Sequence, residues 1–392
     1  MIPPVVRSIA DGRLFRVEAE GDRILGLVAI GLEPSSGKGE VPGIGPAFVD
    51  LQVNGRWGWS FSGPGTDPGL AADRAGAILR AQAELGATRI APTLITASRG
   101  ETLAGVAAIG RACDADPEAR RACLGIHLEG PAISGVDGYR GAHPRSEVRD
   151  PSWDEFLAIQ EAAGGRVRLV TLAPERPGAI EFVARAVASG IVIALGHTAA
   201  DPATIARAID AGATLATHLG NGIATPLPRH PNPIWSLAAD DRVSASLIAD
   251  GHHLDRATLR VLIRAKGPSR AILVSDASPL AGLPAGRYGE WEVERSGRIV
   301  LAGTPYLAGA WRGLDFAVDE IRRAEPSLSL RDALDLASTR PARLLGLPEA
   351  TVGSGSCDHL MVVRDRPDGL ERVGAIAGGR WIGASDASRR AL

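Results

Sequence analysis

Five short apolar runs in this 392-residue chain end in a side chain suited to metal or proton chemistry. The run 47–53 stops at Gln52 and Asn54, 123–128 at Glu129, 191–195 at His197, 214–217 at His218 and 271–275 at Asp276. One carboxylate and two imidazoles, Glu129, His197 and His218, form a set that zinc accepts with a fourth position left for water. Open coordination is what metal-assisted hydrolysis requires. Asp276, beside such an ion, could take a proton from the attacking water and return it to a departing amine. Its plainer alternative is a cap for the following helix. A lone histidine is ordinarily a hydrogen-bonded structural residue. Three candidate ligands at successive strand ends favour a shared ion, because the strands of a parallel barrel all open onto one face.

Two further histidines lie on loops that follow strands, His143 in Gly141-Ala142-His143-Pro144 and His253 in Asp250-Gly251-His252-His253. Such loops hold substrate in barrels. His252 competes with His253 for that role, and His230 and His359 look incidental. Arg229, after Pro226-Leu227-Pro228, reads equally as a phosphate anchor and as an ordinary surface arginine.

Elements able to gather these residues are visible in the texture of the chain. Strands are expected at 47–53, 88–94, 123–128, 167–172, 191–195, 214–217, 243–248 and 271–275. Helices are expected between them at 68–85, 101–112, 151–162, 179–189, 202–211 and 256–266. Asp201 before Pro202, with Gly212 beyond, gives one helix its start and stop signals. Eight strands alternating with helices predict an α/β fold, a (β/α)8 TIM-type barrel over 47–349. Residues 1–46 read as short β segments broken at Asp11-Gly12 and Glu20-Gly21-Asp22. Helical texture returns at 313–323 and 330–345, and strands again at 360–363 and 373–377. The two ends, 1–46 and 350–392, are therefore expected to pair into one small β-sandwich domain.

Composition narrows the function classes. Formal charge is −2 with Lys and Arg scattered, so neither a nucleic acid nor a membrane surface is an expected partner. No apolar run reaches the roughly 18 residues of a membrane span, and Cys113, Cys123 and Cys357 lack metal-binding or paired spacing. A cytoplasmic protein with reduced thiols is expected. Gly353-Ser354-Gly355-Ser356 lacks the lysine of a phosphate loop, and no Gly-x-Ser-x-Gly elbow stands at a strand-to-helix turn. Trp57, Trp59 and Trp311 read as packing or pocket walls.

The motifs in sequence order are PAFVDLQVNG at 46–55, HLEGP at 127–131, GAHP at 141–144, GHT at 196–198, THL at 217–219 with Asn221, IADG at 248–251 with His253, SDA at 275–277, LAGT at 301–304 and ASTRPARLLGL at 337–347. This set resembles the N-acetylglucosamine-6-phosphate deacetylases of the amidohydrolase superfamily over nearly the whole chain. The resemblance implies Glu129, His197 and His218 as ligands of one divalent ion, Asp276 as the acid/base, and His143 as the group that polarises the acetamide carbonyl. It implies contacts to the sugar phosphate from Asn221, Arg229 and His253, and a homodimer whose phosphate contacts cross the subunit interface. Gln52 and Asn54 stand where many amidohydrolases carry His-x-His and bind two metals; amides are poor zinc ligands, so one ion is expected and the two amides are assigned to substrate. Zn2+ is the expected metal, with Fe2+, Mn2+ and Co2+ also compatible.

The chain departs from the family's pattern at Leu219-Gly220-Asn221-Gly222-Ile223 and at Arg229-His230-Pro231-Asn232. A missing aromatic at Gly220 and a missing carboxylate at His230 are expected to widen or recharge the sugar site, with Trp311 filling part of the space. The function expected is release of acetate from an amino-sugar phosphate, most simply N-acetylglucosamine 6-phosphate. Rival readings are an amidohydrolase acting on another acylated sugar or a non-sugar amide, and a non-catalytic sugar-phosphate sensor. The intact Glu, His, His, Asp set argues against a sensor, which needs no proton shuttle.

Overall fold

A computed structural model describes residues 1–31, 41–63, 65, 67–353 and 357–384. Residues 32–40 of the expected N-terminal β segment, the Ser354-Gly355-Ser356 stretch and the chain after 384 lie outside the described residues.

All eight expected barrel strands form. In order they are Phe48–Val53, Ala87–Ile95, Ile126–Glu129, Val167–Leu172, Val192–Leu195, Leu215–Ala216, Ser244–Ile248 and Ala271–Val274, called the first to eighth strands below. They lie side by side in chain order, each parallel to the next. Parallel neighbours joined by helical crossovers give the TIM-type barrel. The third strand starts at Ile126 rather than 123, because Cys123 caps the short helix Pro117–Ala122 and Gly125 turns the chain at φ 122°.

The regular ladder gives way at the seam between the eighth and first strands. There the Asp50 carboxylate accepts the Ser275 N–H at 3.1 Å, Ser275 Oγ donates to the Gln52 carbonyl at 3.2 Å, and the Asn54 N–H donates to the Ala277 carbonyl at 2.9 Å. An isolated parallel bridge joins Val53 to Ala277.

Six crossover helices match the expectation: Pro68–Ala81, Arg99–Ala115, Trp153–Ala162, Ala179–Ala188, Pro202–Asp210 and Arg256–Lys266. Asp201 accepts the Thr204 N–H and Pro202 takes the first helical position, as its sequence signals require. Their buried residues, among them Leu79, Ile109, Ile159, Val183, Ile205 and Leu259, form one cluster against the barrel wall. Burying such a side chain contributes about 1.5–3 kcal/mol, against about 1 kcal/mol for a cap, so packing of this layer outweighs the caps in holding the helices to the barrel.

A further helix and a whole sheet also fall outside the expectation. A short helix, Pro233–Ala239, fills the sixth crossover behind an Asn232 cap. After the eighth strand the chain builds a four-stranded antiparallel sheet, Gly286–Tyr288, Trp291–Val293, Arg298–Leu301 and Leu307–Ala310. Leu280, Val293, Ile299, Ala308 and Trp311 give that sheet its own core, and Ala142 packs against it.

The chain ends meet as expected, although their strands curl into one closed sheet rather than two facing layers. Val5–Ser8, Leu14–Glu20, Arg23–Gly31, Arg380–Gly383, Gly369–Ala377, Leu360–Arg366 and Gly43–Pro46 follow one another round the circle. Val6, Phe15, Leu27, Ile44, Leu360 and Val362 fill its interior. The helix Thr339–Leu344 lies at the N-terminal strand ends, where the Val49 N–H donates to the Ala337 carbonyl and Arg168 to that of Leu345. The opposite end of the barrel is left for the site. Among the described residues no helix is long and apolar enough to cross a membrane.

Candidate active site

Four of the five strand ends singled out above deliver their side chains to one point. Glu129 ends the third strand, while His197, His218 and Asp276 each stand two residues past the last residue of the fifth, sixth and eighth. His197, His218 and Asp276 have φ of 49°, 30° and 50°. Few non-glycine residues adopt that left-handed backbone. The turn lets each side chain lean over the barrel mouth instead of continuing the strand's alternation.

Glu129 Oε1 lies 2.8 Å from His218 Nε2 and 3.3 Å from His197 Nε2, and the two imidazole nitrogens are 3.1 Å apart. Ligand atoms bound tetrahedrally to one zinc at about 2.0–2.1 Å stand about 3.3 Å from one another. The observed triangle matches the face of such a site. His197 Nδ1 is 2.8 Å from the Tyr139 carbonyl, which can only accept, so Nδ1 carries the proton and Nε2 offers the lone pair. Gly222 packs against that ring, at φ 58° and so close that a Cβ would fall 2.7 Å from His197 Nδ1.

A looser set is also present: Glu129, His143 and His197 offer atoms within 4.8 Å of one another. The tighter triangle with His218 fits one ion better. His143 Nδ1 is engaged by Thr96, 2.8 Å from its Oγ1 and 3.3 Å from its N–H.

Electrostatics agree with the geometry. Burial alone would push the Glu129 carboxyl up, but the His197 and His218 side chains beside it outweigh burial and hold the group well below the usual carboxylate range. Burial opposes protonation of His218, yet its bond to Glu129 raises its pKa. His143 is pushed down to about 3 by burial and by His197 beside it, which leaves it neutral. Asp276 is raised to about 6 by burial and by the charge of Glu129, against the opposing influence of His218, His253 and the Asn54 hydrogen bond.

Gln52 and Asn54 serve this cluster rather than the cavity alone. Gln52 Nε2 donates to Glu129 Oε2 and Asp276 Oδ1, both at 3.0 Å, and Asn54 Nδ2 donates to Asp276 Oδ1 at 2.7 Å. Gln52 is fully enclosed and lies behind the carboxylates; Asn54 reaches the cavity wall and keeps a buried Oδ1 without a partner. One layer deeper, His127 Nε2 lies 2.7 Å from Thr171 Oγ1, which is 2.7 Å from Thr217 Oγ1. Burial lowers His127 to about 4 and keeps it neutral.

Above the cluster opens a cavity of about 360 Å3. His143, Asn221 and His253 stand in its wall, as do Trp291 and Leu307 of the four-stranded sheet and Pro305 and Tyr306 of the sheet's last turn. His253 Nδ1 is 2.8 Å from Asp250 Oδ2, and Asp250 also accepts the N–H groups of His252 and His253. His252 instead turns to the Ser296 carbonyl. Arg229 is exposed and outside the wall, which among the described residues contains no arginine or lysine.

Two expectations about pocket shape are corrected. Gly220 borders the cavity, but a Cβ there would point at Leu254 Cδ2, 3.0 Å away, and its φ is 94°. The position serves a turn and close packing, and a side chain built on this backbone would be directed at Leu254 rather than into the cavity. Trp311 lies in the core of the four-stranded sheet, with Nε1 donating to the Leu283 carbonyl at 3.0 Å, and does not line the cavity. The residues that the sequence reading passed over are Thr96, the Tyr139 carbonyl and Asp250. Thr96 had a signal, since it too is a polar residue just past an apolar strand.

The amidohydrolase family matches residues 44–354. The N-acetylglucosamine-6-phosphate deacetylase of Bos taurus is 37% identical over 337 residues, covering 82% of this chain and 80% of the relative. That of Homo sapiens is 36% identical over 362 residues, covering 88% and 85%. A mutant N-acetyl-D-glucosamine-6-phosphate deacetylase from Mycobacterium smegmatis, solved in complex with N-acetyl-D-glucosamine 6-phosphate, superposes with a TM-score of 0.77 at 32% identity, covering 96% of this chain and 98% of that one.

Proposed function

The chain belongs to the amidohydrolase family and within it to the N-acetylglucosamine-6-phosphate deacetylases, and on that premise we propose that it hydrolyses N-acetylglucosamine 6-phosphate to glucosamine 6-phosphate and acetate. The observation that carries this reading is the packing of Glu129 Oε1, His197 Nε2 and His218 Nε2 within 2.8–3.3 Å of one another at the floor of a cavity, with the Asp276 carboxylate beside them.

Amidohydrolases are metal-dependent, and Glu129, His197 and His218 would hold one divalent ion, which we take to be Zn2+. Bound there, the cation supplies Lewis-acid polarisation and a more acidic water. The remaining work belongs to the chain. Asp276, ionised before reaction, takes the proton of the attacking water and passes it to the departing nitrogen. Gln52 and Asn54 both bond its Oδ1, which leaves Oδ2 for that transfer. His143 donates a hydrogen bond to the carbonyl oxygen as negative charge develops there.

His253, backed by Asp250, and Asn221 stand in the cavity wall, and in this reading they would receive the sugar phosphate. Arg229 is exposed outside its own cavity, and in this reading it would serve the cavity of a second copy in a homodimer. Three free cysteines suit a cytoplasmic location.

Metal content and acetate release, measured together on purified protein, test the reading. N-acetylglucosamine 6-phosphate, its 4-epimer, the unphosphorylated sugars and an N-acyl amino acid form the panel. Asp276→Asn is expected to keep its metal and lose turnover by at least about 100-fold, the scale of one general acid/base. Tight binding of the phosphosugar without acetate from the wild type would overturn the assignment in favour of a sensor. Turnover confined to the N-acyl amino acid would replace the substrate.

A further inference from the structure

We propose that Thr96 is a positioning residue for this reaction: it fixes the proton of the His143 ring on Nε2, the nitrogen on the edge opposite Thr96. The inference rests on the proposed function only for what His143 then does to substrate.

Thr96 follows directly on the second strand and is buried. Its backbone N–H lies 3.3 Å from His143 Nδ1 and its Oγ1 lies 2.8 Å from the same atom. A backbone N–H can only donate, so the nitrogen that receives it must present a lone pair. That excludes both the imidazolium and the tautomer protonated at Nδ1. The hydroxyl, free to rotate, completes the arrangement by donating as well. One neutral tautomer remains.

The space for this contact is itself built. Gly130, which follows Glu129 on the third strand, sits at φ 88°, and a Cβ there would stand 2.3 Å from Thr96 Oγ1. Two neighbouring strand ends are thus fitted around the hydroxyl. On its other side the His143 ring meets the His197 ring edge-on, with centroids 4.4 Å apart.

Two consequences follow from one hydrogen-bonded pair. A proton on Nε2 makes His143 a donor, which a carbonyl oxygen gaining negative charge requires. The same proton removes the lone pair that a cation would need, and Nδ1 is already in use. Thr96 therefore separates His143 from the imidazoles of His197 and His218, which keep their Nε2 atoms at the carboxylate.

The test combines spectroscopy with kinetics. In zinc-loaded protein carrying 15N-histidine, the His143 signals, identified by their loss in His143→Gln, are expected to show a protonated Nε2 and a bare Nδ1. Thr96→Val, which keeps the shape and removes the hydroxyl, is expected to lower kcat about tenfold, the scale of one hydrogen bond, with KM and metal content nearly unchanged. Thr96→Ser is expected to restore most of the loss. A proton found on Nδ1, or rapid exchange between the two tautomers, overturns the proposal even if every variant is inactive. So does a serine variant as slow as valine, which would reduce Thr96 to methyl packing. If the wild type releases no acetate but shows the Nε2–H ring, the deacetylase reading fails and the tautomer assignment stands.

Discussion

The Asp50 carboxylate accepts the backbone N–H of Ser275 at 3.1 Å, across the one seam where the barrel's ladder is replaced by side chains. Asp50 is completely enclosed, and burial pushes its pKa up to about 6 despite the hydrogen bonds from Ser275 and Gln52. Against a value of 3.8 when unfolded, the folded chain holds the proton more tightly. This group's contribution is therefore most favourable at low pH, falls as pH rises from about 4 to about 6, and stays low above that. Asp50→Asn keeps an acceptor oxygen and removes the charge. The variant is expected to gain on the wild type across that window by up to about 3 kcal/mol. Urea unfolding of both proteins at pH 4.5 and pH 8 measures the gain, and a difference independent of pH refutes it.

Asp276 gives the activity its own pH dependence. A general base works ionised, so kcat/KM falls as pH drops through its pKa. Burial and Glu129 raise that pKa to about 6, while the Asn54 bond at 2.7 Å favours the ionised form. A cation at the triad favours it further, so the acid limb of the metal-loaded enzyme is expected below pH 6. Asn54→Ala removes a donor to the charged form and is expected to move the limb upward by about one unit. A pH–rate profile that keeps its acid limb in place on this substitution removes Asn54 from the control of Asp276.

Gly222 tests the imidazole support. A methyl group at this position would lie 2.7 Å from His197 Nδ1, and the left-handed backbone at φ 58° adds strain of its own. Gly222→Ala is expected to displace the ring from the Tyr139 carbonyl and weaken metal binding about tenfold or more, the scale of lost ligand support. Competition with a chelator would reveal it. Unchanged affinity would mean that the ring has room to shift and still bind.

Glu129, His197, His218 and Asp276 could be read from the chain because parallel strands all point their ends the same way, so an acid or imidazole after an apolar run has one place to go. Thr96 obeys the same rule and was passed over, because a hydroxyl after a strand is common and carries little chemical signal. The Tyr139 carbonyl has no side-chain signature at all. Asp250 was quoted in its motif, but its bond to His253 depends on a turn that spacing does not specify. The four-stranded sheet at 286–310 had local signs, with turns at Gly289-Glu290 and Ser296-Gly297 and alternation at Trp291 and Val293. Its four short strands blend into what otherwise reads as one long loop. Gly220 and Trp311 were misplaced for a shared reason: residue type says how large a group is, whereas backbone direction says where it goes.

His197, His218 and Asp276 all occupy left-handed backbone at a strand terminus. A turn of that shape is one glycine would occupy freely, and each bulkier residue held there gives up about 1–3 kcal/mol of folding free energy. Three of the five non-glycine residues with that backbone among the described residues stand together at the barrel mouth, so folding free energy is given up at the point where the reactive side chains gather.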